Sequence, residues 1–151
     1  MQEDKLVVPS VRVCKQSSIN ILRCILKIAG NDCTLTVFSY SVTDGWLRQL
    51  LKLKNEMQVK LIRIVLDRDV MIRHRHILKQ LENVADEIYL TDSHAKVYLA
   101  TNHENEVAVI TSANATQNHR NECYYATDRR PELQRIKDDV SGILANAFKI
   151  K

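Results

Sequence analysis

Val59-Lys60-Leu61-Ile62-Arg63-Ile64-Val65-Leu66 is a dense run of Val, Ile and Leu closed by Asp67. A strand with branched apolar side chains on both of its faces is covered on both, as in a parallel sheet flanked by helices. The flanking sequence agrees. Upstream, Ser17 or Ser18 can cap a helix with Ile19, Leu22, Ile25, Leu26 and Ala29 at helical spacing and Gly30 as its stop, and a β-rich run follows over 34–38. Thr43 or Asp44 can cap a second helix with Leu47, Leu50 and Leu51 on one face. Downstream, a third helical pattern over about 70–83 turns Ile77, Leu78 and Leu81 inward and leads to a strand over 87–90. Such alternation implies right-handed βαβ crossovers. After Thr91 the rhythm changes. Three short strand-like runs, 95–100, 106–111 and 122–127, are separated only by turns and predict antiparallel additions. Pro131 then suits the first turn of a closing helix that carries Leu133, Ile136, Val140, Ile143 and Leu144 inward. The predicted class is α/β, a mixed parallel and antiparallel sheet flanked by helices.

Composition sets the outer limits. With 151 residues the chain has the length of one ordinary domain, expected over 1–151, and its 45% apolar content supports a core without disulfides or metal. Only 3 Gly and 2 Pro are present, which excludes collagen-like, Gly-rich and Pro-rich classes. The formal net charge of +4 leans toward phosphate-bearing partners. Cys14, Cys24, Cys33 and Cys123 have none of the spacings of a zinc site and read as free, largely buried thiols. No run approaches the apolar length of a membrane span, and residues 1–5 lack the layout of a signal peptide. The expectation is a cytoplasmic protein without stable membrane association.

The chemistry concentrates between Asp92 and Glu122. His94 and Lys96 are two apart in a strand-like run, so they leave the same face. Ser112 and Asn114, also two apart, close the next strand, and the polar stretch Asn102-His103-Glu104-Asn105 between them predicts a hairpin. A loop with an odd number of residues would set His94 opposite Ser112 or Asn114, whereas an even loop would misalign them unless a bulge intervened. Glu122, on the following strand, could reach the same cluster. Imidazole can attack phosphorus or protonate a leaving oxygen, Lys and Asn are donors for non-bridging oxygens, and a carboxylate on the other ring nitrogen fixes the tautomer. No carboxylate pair suited to a divalent cation accompanies them, so no metal and no cofactor are expected.

His94-Ala95-Lys96, Ser112-Ala113-Asn114 and Asn121-Glu122 resemble, in order and spacing, the signature of the phospholipase D-like (HKD) phosphodiesterase superfamily. The resemblance runs from about Ser17 onward. It is similar above all to the small single-motif endonucleases of that family, and it implies a homodimer that shares one active site. By that resemblance, His94 of one subunit would attack phosphorus to give a phosphohistidine, and His94 of the other would protonate the leaving oxygen. Lys96 and Asn114 would hold the non-bridging oxygens with Ser112 in support, and Glu122 would hydrogen-bond the outer imidazole nitrogen. Two positions depart from the family pattern: Thr101 stands where the motif has Asp, and Thr111 where a Gly often precedes the Ser. The implied activity is metal-independent cleavage of nucleic acid, DNA ahead of RNA. The alternatives are a lipid phosphodiesterase or transphosphatidylase, and a nucleic-acid-binding module of the same fold without turnover.

Beside this constellation, Arg73, Arg75 and Lys79 belong to the densest basic stretch, and Arg120 lies near the motif. All four are candidate substrate-binding residues, set against the ordinary meaning of a charge run as a solvated face. His103 and His119 read as loop residues. Of Tyr124 and Tyr125 one should face the core, and Trp46 reads as core or dimer contact.

Overall fold

Three helices begin where a short polar side chain accepts hydrogen bonds from main-chain N–H groups that have no partner in a first helical turn. Ser17 accepts from Asn20 N ahead of α1 (Ser18–Ala29), Thr43 from Trp46 N ahead of α2 (Asp44–Glu56), and Asp67 from Asp69 N and Val70 N ahead of α3 (Arg68–Arg73). The computed structural model describes Leu6, residues 8–117 and residues 119–151. Its strands are β1 (Ser10–Cys14), β2 (Thr34–Ser39), β3 (Leu61–Asp67), β4 (Glu87–Thr91), β5 (Val97–Thr101), β6 (Glu106–Thr111), β7 (Glu122–Thr127) and β8 (Phe148–Lys149). A 3-10 turn at Arg75–Ile77 leads into α4 (Leu78–Val84), and α5 (Arg130–Asn146) follows β7.

The sheet runs β1-β7-β6-β5-β2-β3-β4-β8. β2, β3 and β4 are parallel, and β5, β6, β7, β1 and β8 join antiparallel. The protein is thus α/β with a mixed sheet flanked by helices. One face packs against α1, α2 and α4 around Ile21, Leu22, Ile25, Leu47, Leu50 and Leu81, all fully or almost fully buried. On the other face, α5 sets Leu133 and Val140 against Phe38, Val65, Leu99 and Ala108. α5 covers the middle of that face only. Toward the outer edge Val11 and Val13 of β1 are 75% and 70% exposed and Ile110 of β6 is 45% exposed.

Three local expectations need correction, and the loop length left open above is now fixed. The helix expected over 70–83 is broken at His74, because a continuous helix with Val70, Ile77 and Leu81 inward would also turn Arg73 or His74 inward. The strand expected from residue 95 starts at Val97. The hairpin loop is the even one: residues 102–105 separate the strands, and Thr101 pairs with Glu106. Asn102 sets this length, since its Oδ1 accepts from Glu104 N at 2.8 Å and Asn105 N at 2.7 Å while its Nδ2 donates to Ala29 O at 2.6 Å. Finally, only Cys33 is fully buried; Cys14 and Cys24 are partly exposed and Cys123 is exposed, all as free thiols. The strand β1 was not anticipated, although Val11 and Val13 alternate with Arg12 and Cys14.

Trp46 is a core residue, 1% exposed, with Nε1 donating to Ser18 Oγ at 3.0 Å. Tyr124 faces the core, and Tyr125 reaches across the other face to Glu132 of α5. Among the described residues no helix is long and apolar enough to cross a membrane. Leu50 is 0% exposed at the centre of the α2 packing, so Leu50→Ala should cost about 3 kcal/mol of unfolding free energy in a urea titration. A loss below about 1 kcal/mol would show that this core is not close-packed.

Candidate active site

The parallel strands β2, β3 and β4 all end at one side of the sheet, where β5 and β7 begin and β6 and β1 end. The N-termini of α1, α2 and α3 lie there too, and their unpaired N–H groups bias that edge toward anions. Every catalytic candidate read from the sequence is on this edge.

Asp67 organises the approach to His94. Its carboxylate, on a residue 6% exposed at the end of β3, caps α3 through Oδ1 and accepts from Ser93 N through Oδ2 at 3.2 Å. Ser93 Oγ in turn accepts from Ala95 N at 3.0 Å, and Asp92 pairs with Arg68 at 2.8 Å. The segment 92–96 is therefore held ahead of β5, with His94 exposed on it. Lys96 donates from Nζ to His94 O at 2.9 Å, and its own carbonyl accepts from Thr111 N at 3.0 Å. That second bond continues the register of the hairpin, which sets Lys96 beside Thr111 and so leaves neither His94 nor Lys96 directly across from Ser112 or Asn114.

Ser112 is gripped by β7. Its N–H donates to Cys123 O at 3.2 Å, its Oγ accepts from Cys123 N at 2.9 Å, and its hydroxyl donates to the Glu122 carboxylate. Asn114 is fixed by its oxygen atoms. Oδ1 accepts from Ser39 Oγ, Tyr40 N and Ser41 N at 3.3, 3.2 and 3.4 Å, and the carbonyl accepts from Ser18 Oγ at 3.1 Å. With Oδ1 used in this way, Nδ2 is left as a donor without an acceptor among the described residues. Below the edge, burial first, then Cys14 and Glu122, push the Tyr124 phenol far above its usual range, so this ring stays neutral.

One participant was missed in the sequence. The Tyr40 ring, in the connection after β2, stacks on the His94 imidazole with centroids 4.2 Å apart and planes 17° from parallel. Its hydroxyl accepts from Arg73 Nη2 at 3.3 Å. No spacing rule marks Tyr40, since it is far from His94 in the chain; its place beside the Asn114 carboxamide becomes visible only in the fold.

Of the basic candidates, Arg73 reaches the site through Tyr40. Arg75 and Lys79 are exposed on the 3-10 turn and α4 and touch none of the motif residues among those described, while Arg120 is exposed in the connection before β7. The Glu122 to His94 hydrogen bond expected from the resemblance is not formed within one chain: Glu122 lies on Ser112, and among the described residues neither nitrogen of His94 has a partner. Thr101, at the motif's Asp position, pairs with Glu106 and Thr34 at the opposite end of the sheet.

No family model and no curated protein match the chain. Among solved structures it is similar to polyphosphate kinase from Porphyromonas gingivalis, with a TM-score of 0.59 and 14% identity over 85% of this chain and 21% of that one. It is also similar to TrmBL2, an archaeal chromatin protein described as having a novel mode of DNA binding, with a TM-score of 0.60 and 13% identity. That match covers 98% of this chain and 56% of the other. The chain therefore spans about a fifth of the first neighbour and just over half of the second. At these identities the likeness is one of fold.

Replacing Asp67 by Ala leaves three N–H groups without their acceptor, two of them at a helix start. Asp67→Ala is expected to lower unfolding free energy by about 2 kcal/mol and to loosen the 92–96 segment, read as faster amide exchange at Ser93. Unchanged exchange at Ser93 would show that Asp67 does not hold this segment.

Proposed function

We propose that the chain is a metal-independent phosphodiesterase that cleaves nucleic acid, DNA in the first instance, at an active site shared by two copies. The observation that carries this reading is the convergence of His94, Lys96, Ser112, Asn114 and Glu122 on one sheet edge, with unused imidazole nitrogens and an unused carboxamide donor. Such a group has what a phosphodiester needs: a nucleophile, donors for the non-bridging oxygens and a hydroxyl in support. Among the described residues no group of three or more His, Cys, Asp and Glu side chains is arranged to hold a metal ion. The reading assigns charge neutralisation to Lys96, with Asn114 as a neutral hydrogen-bond donor.

In the first step an imidazole nitrogen of one His94 forms a bond to phosphorus as the bond to the leaving oxygen breaks, and the partner's His94 gives its proton to that oxygen. In the second step the same partner imidazole takes a proton from water as the water oxygen bonds to phosphorus. The phosphorus–nitrogen bond breaks, its electron pair returns to His94, and both imidazoles regain their starting states. The motif brings one imidazole per chain, His94, so this reading draws the acid from a second copy. Arg73, Arg75, Lys79 and Arg120 supply positive charge for the backbone of a longer strand, which should make binding weaken as salt rises.

The second reading, a DNA-binding module of this fold without turnover, draws on one observation. Within one chain the Glu122 carboxylate lies on Ser112 and is not on His94. Cleavage and retention of a labelled duplex, measured side by side in excess chelator, separate the two. The phosphodiesterase reading expects cleavage to continue in chelator, His94→Ala to lose about a thousandfold in kcat, and the variant to remain dimeric by light scattering. Retention without cleavage supports the binding module, and cleavage that disappears in chelator and returns with magnesium rules out the metal-independent mechanism.

A further inference from the structure

We propose that Tyr40 is a positioning residue for the His94 imidazole, held in place by Asn114 and Arg73. This rests on the phosphodiesterase reading and adds to it the device that keeps the nucleophile aligned. An exposed histidine on a connecting segment has two side-chain torsions free to rotate, and attack on phosphorus requires the lone pair, which lies in the ring plane, to point along one line. Nothing in the 92–96 segment restrains the ring: the bonds of that segment are made by the main chain and by Asp92, Ser93 and Lys96.

Tyr40 supplies the restraint. A stacked contact at 4.2 Å and 17° fixes the plane of the imidazole from its face. Because the contact uses the face, both nitrogens stay available at the edge, one for phosphorus and one for a proton partner. The platform is itself pinned twice. Tyr40 N donates to Asn114 Oδ1 at 3.2 Å, and the hydroxyl accepts from Arg73, whose Nε also donates to Asp69 O at 3.3 Å in α3. Asn114 therefore has two tasks. Its Oδ1 builds the platform, and in the phosphodiesterase reading its Nδ2 is the donor to the substrate. Arg73, besides the positive charge it offers a strand, acts here through Tyr40.

The test uses the full chain and three variants. Tyr40→Leu removes the ring, Tyr40→Phe keeps the ring and loses only the Arg73 bond, and Arg73→Met removes that bond from the other side. In two-dimensional proton–carbon spectra the His94 imidazole signals should carry a ring-current shift that disappears in Tyr40→Leu and survives in Tyr40→Phe. For duplex cleavage, Tyr40→Leu should lower kcat about three- to tenfold with KM unchanged, and Tyr40→Phe and Arg73→Met should fall between it and the original chain. His94 signals that do not move in Tyr40→Leu overturn the stack. Signals that move while kcat stays constant overturn the positioning role and leave the phosphodiesterase reading standing. A chain that cleaves nothing in any form, with the stack present in the spectra, overturns that reading instead.

Discussion

A carboxylate buried at the end of a parallel strand must be met by N–H donors or it destabilises the fold, and at Asp67 those donors come from two directions. α3 supplies two of them and the segment before β5 supplies the third, from Ser93. Desolvation thus converts one side chain into a fixed angle between a helix start and the segment that carries His94. The Arg68–Asp92 pair spans the same gap at the surface, where it adds little by itself.

Asn114 does the same work on the other side of the edge. Its Oδ1 and carbonyl take hydrogen bonds from the connection after β2 and from Ser18 at the start of α1, and Ser18 also accepts from Trp46 in α2. The core tryptophan, two helix starts and the Ser-x-Asn connection thus share one polar network beneath the edge. Above these bonds His94 and Ser112 are open to solvent, and Lys96 is only partly covered.

What could be read in the chain was local. The run ending at Asp67, the caps at Ser17 and Thr43, the Gly30 stop and the early proline of α5 each depend on a few neighbouring residues, and the fold has all of them. The candidate residues from His94 to Glu122 were picked by type and order, which are local features as well. What could not be read was geometry set at a distance. The hairpin took an even loop because Asn102 also bonds Ala29 at the end of α1, a partner that the loop sequence does not reveal. The 70–83 helix broke because its middle turn would bury a charge, a cost that appears only once the sheet covers one side. Tyr40 was invisible because its meaning lies wholly in a ring contact between two separate connections.

Covalent chemistry at one nitrogen of His94 is the centre of the proposed reaction. Rapid quenching of the reaction with a labelled duplex, followed by peptide mapping under alkaline conditions, reads it directly. The expected result is a nucleotide joined through phosphorus to His94, stable in alkali and released in acid. A label on Ser112, or full turnover with no covalent species at any time, would contradict it.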